Sequence, residues 1–239
     1  MKYQFRPSLL ATMLTLLLLV AFTKLGFWQW HKAEQKRALQ AMFDARLQEA
    51  PVALPVKVDD VEAWRYRRIR VAGQYDTRYQ IVLDNQMNGE AAGYHVITPL
   101  KTEDDNVYVL VDRGWIPMGD RSKLPQVAAP QAKVEAVGFA WVPSRKFYEL
   151  QAPPPMSGQW QPLWQNMDME RYAKAVPFPV LPFVIRLDAD KNDSRFVRNW
   201  PRPAERIEMH ISYAYQWFGF AVAIVLIYLA VNLKKVENE

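Results

Sequence analysis

The chain has three histidines, His31, His95 and His210, and no cysteine. Chemistry that needs an imidazole therefore has few places to be. His210 is the informative one, because on a helix the residues three, four, seven and eleven positions later share its face, and these are Tyr213, Ala214, Trp217 and Ala221. An imidazole, two aromatic rings and two small residues on one stripe would suit axial ligation of a haem iron, with a flat macrocycle held against the aromatic wall. The same residues also suit a plain membrane-edge helix, in which Tyr and Trp belong to the interfacial belt and the histidine packs. Met167 and Met169 flank Asp168, and Met209 adjoins His210, a pattern open to thioether copper ligation or to ordinary packing. Arg113 opens the run Arg113-Gly114-Trp115, followed by Pro117; the run is expected to end a strand in a tight turn. Its guanidinium could clamp a carboxylate such as a haem propionate, or fix a loop.

Other chemistries are excluded by what is missing. Without cysteine there is no disulfide framework, thiolate zinc site, thiol–disulfide exchange or paired-thiol copper delivery. No Gly-x-Ser-x-Gly elbow, His-Glu-x-x-His helix or phosphate-binding loop occurs, so no enzyme is expected. The formal net charge is +5, but the basic residues are scattered among acidic ones in no basic run, which argues against nucleic acid as a partner.

The elements that must position His210 are membrane segments. Half of the 239 residues are hydrophobic, yet the mean hydropathy is −0.22, so apolar character is concentrated locally. It lies at the two ends. Residues 9–30 are Leu-rich with one charge, Lys24, near enough to one end to snorkel. Lys2 and Arg6 before the run fit a signal peptide, but no small-x-small cleavage site follows, so an uncleaved anchor is expected. Residues 211–233 carry no charge and are followed by Lys234 and Lys235. Basic residues outside both spans put residues 1–8 and 234–239 in the cytoplasm and residues 31–210 on the opposite side. Membrane lipid is thus one partner.

Between the spans the pattern changes. Residues 31–50 read as an amphipathic helix prolonging the first span and ending before Pro51. From Arg65 onward, short β-rich runs at residues 65–75, 78–85, 94–100 and 106–115 are separated by turn-like Asp76-Thr77-Arg78, residues 88–93 and residues 101–106, suggesting an antiparallel meander. A further strand at 133–142, a Pro-rich loop around Pro153, Pro154 and Pro155, a short helix at 167–175 and a last strand at 182–188 complete the domain. The fold class expected is an α+β membrane protein, with two transmembrane helices flanking an antiparallel β-rich extracytoplasmic domain and a few short helices.

Several pieces in this order resemble the surfeit locus protein 1 family, assembly factors of haem-copper cytochrome oxidases. They are Leu25 to Lys36 at the end of the first span, Arg65 to Tyr75, Gly93 to Leu100, Leu110 to Pro117 with its Arg-Gly-Trp and Pro, and Met209 to Ala221 with its His, Tyr-Ala and Trp-Phe. The resemblance covers nearly the whole chain. Many family members carry Asn before the histidine; here Met209 stands there, so that Asn cannot orient the imidazole.

The resemblance implies a non-catalytic carrier of haem A. Its iron would be held by His210, and its cargo would pass to oxidase subunit I alongside other oxidase assembly factors; the residues read above add Tyr213, Trp217 and Arg113 as expected contacts. It also implies a multi-pass protein of a bacterial inner membrane with a periplasmic domain, since no Arg-rich, Ser-rich transit segment precedes the first span. Self-association is left open. Two rival readings are a haem-free scaffold that stabilises oxidase assembly intermediates and a small periplasmic sensor acting through a separate partner.

Overall fold

The computed structural model describes residues 2–103, 107–120, 123–144, 160–190, 193–203 and 206–236. The Pro-rich loop at Pro153 to Pro155 lies outside the described residues, as do residues 104–106 of the turn expected at 101–106. In chain order the elements are β1 (Lys2–Phe5), α1 (Leu9–Gln48), β2 (Val52–Ala53), β3 (Arg68–Tyr75), β4 (Ile81–Asn88), β5 (Ala91–Thr102), β6 (Tyr108–Pro117), β7 (Val134–Trp141), β8 (Leu163–Trp164), α2 (Met169–Ala175), β9 (Val180–Leu187), α3 (Ile207–Asn232) and β10 (Leu233–Val236). They fall into two compact units, Met1–Phe43 with Arg202–Glu239, and Asp44–Pro201.

The first unit is a pair of antiparallel helices. Ser8 caps α1: its Oγ accepts from the Ala11 N–H at 3.1 Å, satisfying one of the donors a helix start leaves open. At 40 residues, α1 is about 60 Å long by its rise per residue, twice a bilayer core. The expected outward extension of the first span is therefore one continuous helix. Both α1 and α3 are long and apolar enough to cross a membrane. Their side chains are largely uncovered, Leu17 at 67% and Val222 at 61% exposure, as suits a surrounding apolar solvent.

The two helices are tied at the end where the chain termini meet. β1 pairs antiparallel with β10, Gln4 opposite Lys234, and the buried Asn232 accepts from the Ser8 N–H through its side chain and from the Arg6 N–H through its carbonyl. Further along, Thr12 and Tyr228 share a hydroxyl hydrogen bond of 2.8 Å. Gly26 then lets the Phe218 ring lie against the α1 backbone, where a Cβ would come within 2.5 Å of it. Close approach of this kind is how apolar helices gain packing without help from water.

The second unit is a closed barrel. β3 pairs with β7, β7 with β9, β9 with β6, β6 with β5, and β5 returns to β3 through Gly73 opposite Thr102. Closure needs Gly73, since a Cβ there would run into the Lys101 carbonyl oxygen. β4 extends the sheet from β5, β8 from β4 and β2 from β3. One core cluster gathers Ile69, Val71, Leu100, Val109, Val111, Phe183 and Ile185; the other gathers Ile81, Ile97, Leu110, Val184 and Tyr172 of α2. β6 and β9 thus alternate residues between two apolar faces, which is why they read as nearly continuous apolar runs.

Three expectations are corrected. The sheet is mixed: β6–β9, β2–β3 and β4–β8 are parallel. β9 enters between β6 and β7 after the excursion through β8 and α2, and this insertion sets its direction. The meander holds for β4, β5 and β6 only, because β3 neighbours β5 and β7 in place of β4. Arg113-Gly114-Trp115 does not end its strand, since β6 continues to Pro117. Between the pairs Ile97–Asp112 and His95–Trp115, Arg113 and Gly114 stand opposite the single residue Val96. That is a β-bulge, and Gly114 takes a φ of 126° within it.

Candidate functional site

The site built around His210 lies wholly in the helical pair. On α1, Phe22, Gly26 and Gln29 recur at helical spacing; on α3, so do His210, Ala214, Trp217 and Ala221. The two stripes meet. Phe22 stacks on Trp217 with centroids 5.8 Å apart, Trp30 meets Tyr215 edge-on, and Ala214 and Ala221 are buried. Nδ1 of His210 lies 2.7 Å from Oε1 of Gln29. An amide oxygen cannot donate, so the shared hydrogen is on Nδ1, and the neutral ring carries its lone pair on Nε2. Among the described residues Nε2 has no hydrogen-bond partner.

The other expected residues divide clearly. Trp217 is half-buried on Phe22 and Phe220, whereas Tyr213 is 43% exposed and Met209 40%. His31 is exposed and faces Glu34, one turn along α1. Met167 is buried in the second core cluster with Met169 packed against it, and Asp168 caps α2 by accepting from the Arg171 N–H at 3.0 Å. These three residues do packing and capping work. Among the described residues, no group of three or more His, Cys, Asp or Glu side chains could cage a metal ion. A single axial imidazole is a different donor set and fits a haem iron, which brings its own four nitrogens.

Arg113 lies in the barrel unit at 3% exposure. Its Nη2 donates to the Ala128 carbonyl at 2.8 Å, and its guanidinium lies over the rings of Phe196 and Tyr75, 4.7 and 5.3 Å from their centroids. Burial pushes this guanidinium below its ordinary range. The contact is that of a residue holding a loop in place.

Beside it is a polar cluster that spacing did not reveal. His95 lies on Asp112, stacks on Trp200 with centroids 5.3 Å apart, and neighbours Arg186, whose Nε is 3.8 Å from Oδ2 of Asp112. Arg186 lies over Trp141, 3.9 Å from its centroid. Burial pushes Arg186 below its usual range, with the Asp112 charge opposing. A lone acid in the apolar run of β6 was the available signal. Gln29, the other residue missed, sits between two tryptophans at the end of a span, where a polar side chain needs a partner.

Two helices long and apolar enough to cross a membrane, joined in one chain to a closed, mixed β-barrel, define a membrane-anchored β-barrel protein. The SURF1 family model matches residues 16–222, and the chain belongs to the SURF1 family. It is 25% identical to a SURF1-like protein of Rickettsia bellii over 92% of this chain and 88% of that one. It is 25% identical to Surfeit locus protein 1 of Xenopus tropicalis over 93% and 76%. Cytochrome oxidase assembly protein SHY1 of Saccharomyces cerevisiae is 28% identical over 71% of this chain and 48% of its own length.

Proposed function

We propose that this chain is a non-catalytic assembly factor for a haem-copper cytochrome oxidase, and that it holds haem A on its way to the catalytic subunit. The role in oxidase assembly rests on family membership and on the SHY1 relative, whose name states it. The haem reading rests on one observation: Gln29 holds Nδ1 of His210 and leaves Nε2 open. His210 would supply the axial nitrogen, Trp217 would bound the site, and the exposed Tyr213 could lie along the macrocycle. When bound, the haem supplies an iron centre that takes a neutral imidazole nitrogen; the protein's part is to hold and orient that nitrogen. A long isoprenoid tail favours a site between apolar helices over one in water.

In the topology proposed, both termini are cytoplasmic and the barrel is periplasmic in a bacterial inner membrane. Subunit I and other assembly factors would be its protein partners. The test is an absorption spectrum, with pyridine haemochrome analysis, of the detergent-purified chain from cells that make haem A, beside His210→Ala. Haem A in the parent and none in the variant is expected. A colourless parent, with oxidase assembly still dependent on the protein, would replace the carrier with a haem-free scaffold.

A further inference from the structure

We infer that Gln29 is the positioning residue for His210: it fixes the imidazole tautomer and ring plane so that Nε2 is presented as a ligand. The inference rests on the haem reading above and adds to it a residue from the other helix. The 2.7 Å contact joins residues 181 positions apart, and an acceptor-only amide oxygen determines which ring nitrogen carries hydrogen. The packing makes that contact specific. Gly26, one turn before Gln29, brings α1 and α3 close through Phe218, while Phe22 on Trp217 and Trp30 on Tyr215 hold the helices in register on either side. A histidine that ligates a metal usually donates its other N–H to a second group, which sets the ring orientation and raises its basicity. Met209, beside the histidine, has no such acceptor; Gln29 supplies it across the helix pair.

The carboxamide oxygen therefore tunes the bond that His210 would make. Gln29→Leu removes the acceptor at similar size, and Gln29→Glu replaces it with a stronger, anionic one. The experiment titrates haem A into the full-length, detergent-solubilised parent and both variants, and records the ferrous iron–histidine stretch by resonance Raman. Leu is expected to weaken haem A binding about 10- to 100-fold and to lower the stretching frequency. Glu should keep the affinity and raise the frequency. Parental affinity and frequency in the Leu variant would overturn the inference while leaving His210 as ligand. Should the Leu variant aggregate, the Glu variant decides, because an unchanged frequency there also overturns it. A parent that binds no haem A, or a His210→Ala variant that binds it as well as the parent, sinks the haem reading itself and the inference with it.

Discussion

Oδ1 of Asp112 lies 3.0 Å from Nδ1 of His95, across the β5–β6 pair, and Asp112 is 1% exposed. The same oxygen accepts from the Gly114 N–H at 3.2 Å, and the carboxylate faces the partly buried Arg186. One acid thus joins a cross-strand pair, a β-bulge and a partly buried cation. Asp112→Ala should destabilise the chain by about 3–5 kcal/mol, because it leaves Arg186 without its counter-charge. Asp112→Asn should cost less, since an amide oxygen can still accept from Gly114. Thermal and denaturant unfolding in detergent measure both; a loss under about 1 kcal/mol for the alanine variant would show that the cluster is not held by charge.

Gly114 is needed for its backbone. At a φ of 126°, with a Cβ position only 2.8 Å from Cβ of Phe196, alanine would be strained and crowded. Gly114→Ala is expected to cost about 1–3 kcal/mol from strain, before any clash. Gly119→Ala, with open space around the added carbon, is the control and should stay within about 0.5 kcal/mol. Equal effects at both positions would refute a conformational requirement at the bulge.

Asp193 sets an acid limit on the barrel. Burial works to raise its pKa, but hydrogen bonding from Arg195 and the charges of Arg195 and Arg198 outweigh it and hold the carboxyl below its ordinary value. A folded pKa below the unfolded one means that the unfolded chain takes up the proton first as pH falls. The stabilisation is therefore fully present above the unfolded pKa of about 4 and is lost as pH drops through the folded value. Unfolding curves between pH 5 and 2 should show that loss, and Asp193→Asn should flatten part of it. An unchanged pH slope in the variant would remove Asp193 from the account.

The terminal strands give a direct test of topology. Gln4 and Lys234 are cross-strand partners, and a chain without cysteine offers no competing thiol. Gln4→Cys with Lys234→Cys should form an intramolecular disulfide on oxidation, seen as a mobility shift reversed by reductant. In the proposed orientation, a membrane-impermeant maleimide applied from the periplasmic side should leave both thiols unlabelled. Labelling from that side would invert the topology.

The amino-acid order by itself was enough for the two long apolar helices, because long apolar runs with almost no charge have few other solutions, and for most strands, whose β-rich runs and turn residues are local signals. It also placed α2 and marked Arg113-Gly114-Trp115 as special. The same local signals could not say that β9 enters beside β6, that Gly73 closes a barrel, or that the Arg-Gly-Trp run is a bulge inside a strand. Each of those depends on which distant strand lies alongside. His210 stood out in the sequence, but its partner did not. Gln29 meets it only because Gly26 and the flanking aromatic pairs bring two helices from opposite ends of the chain into contact, and a hydrogen bond spanning 181 residues leaves no periodic trace in sequence.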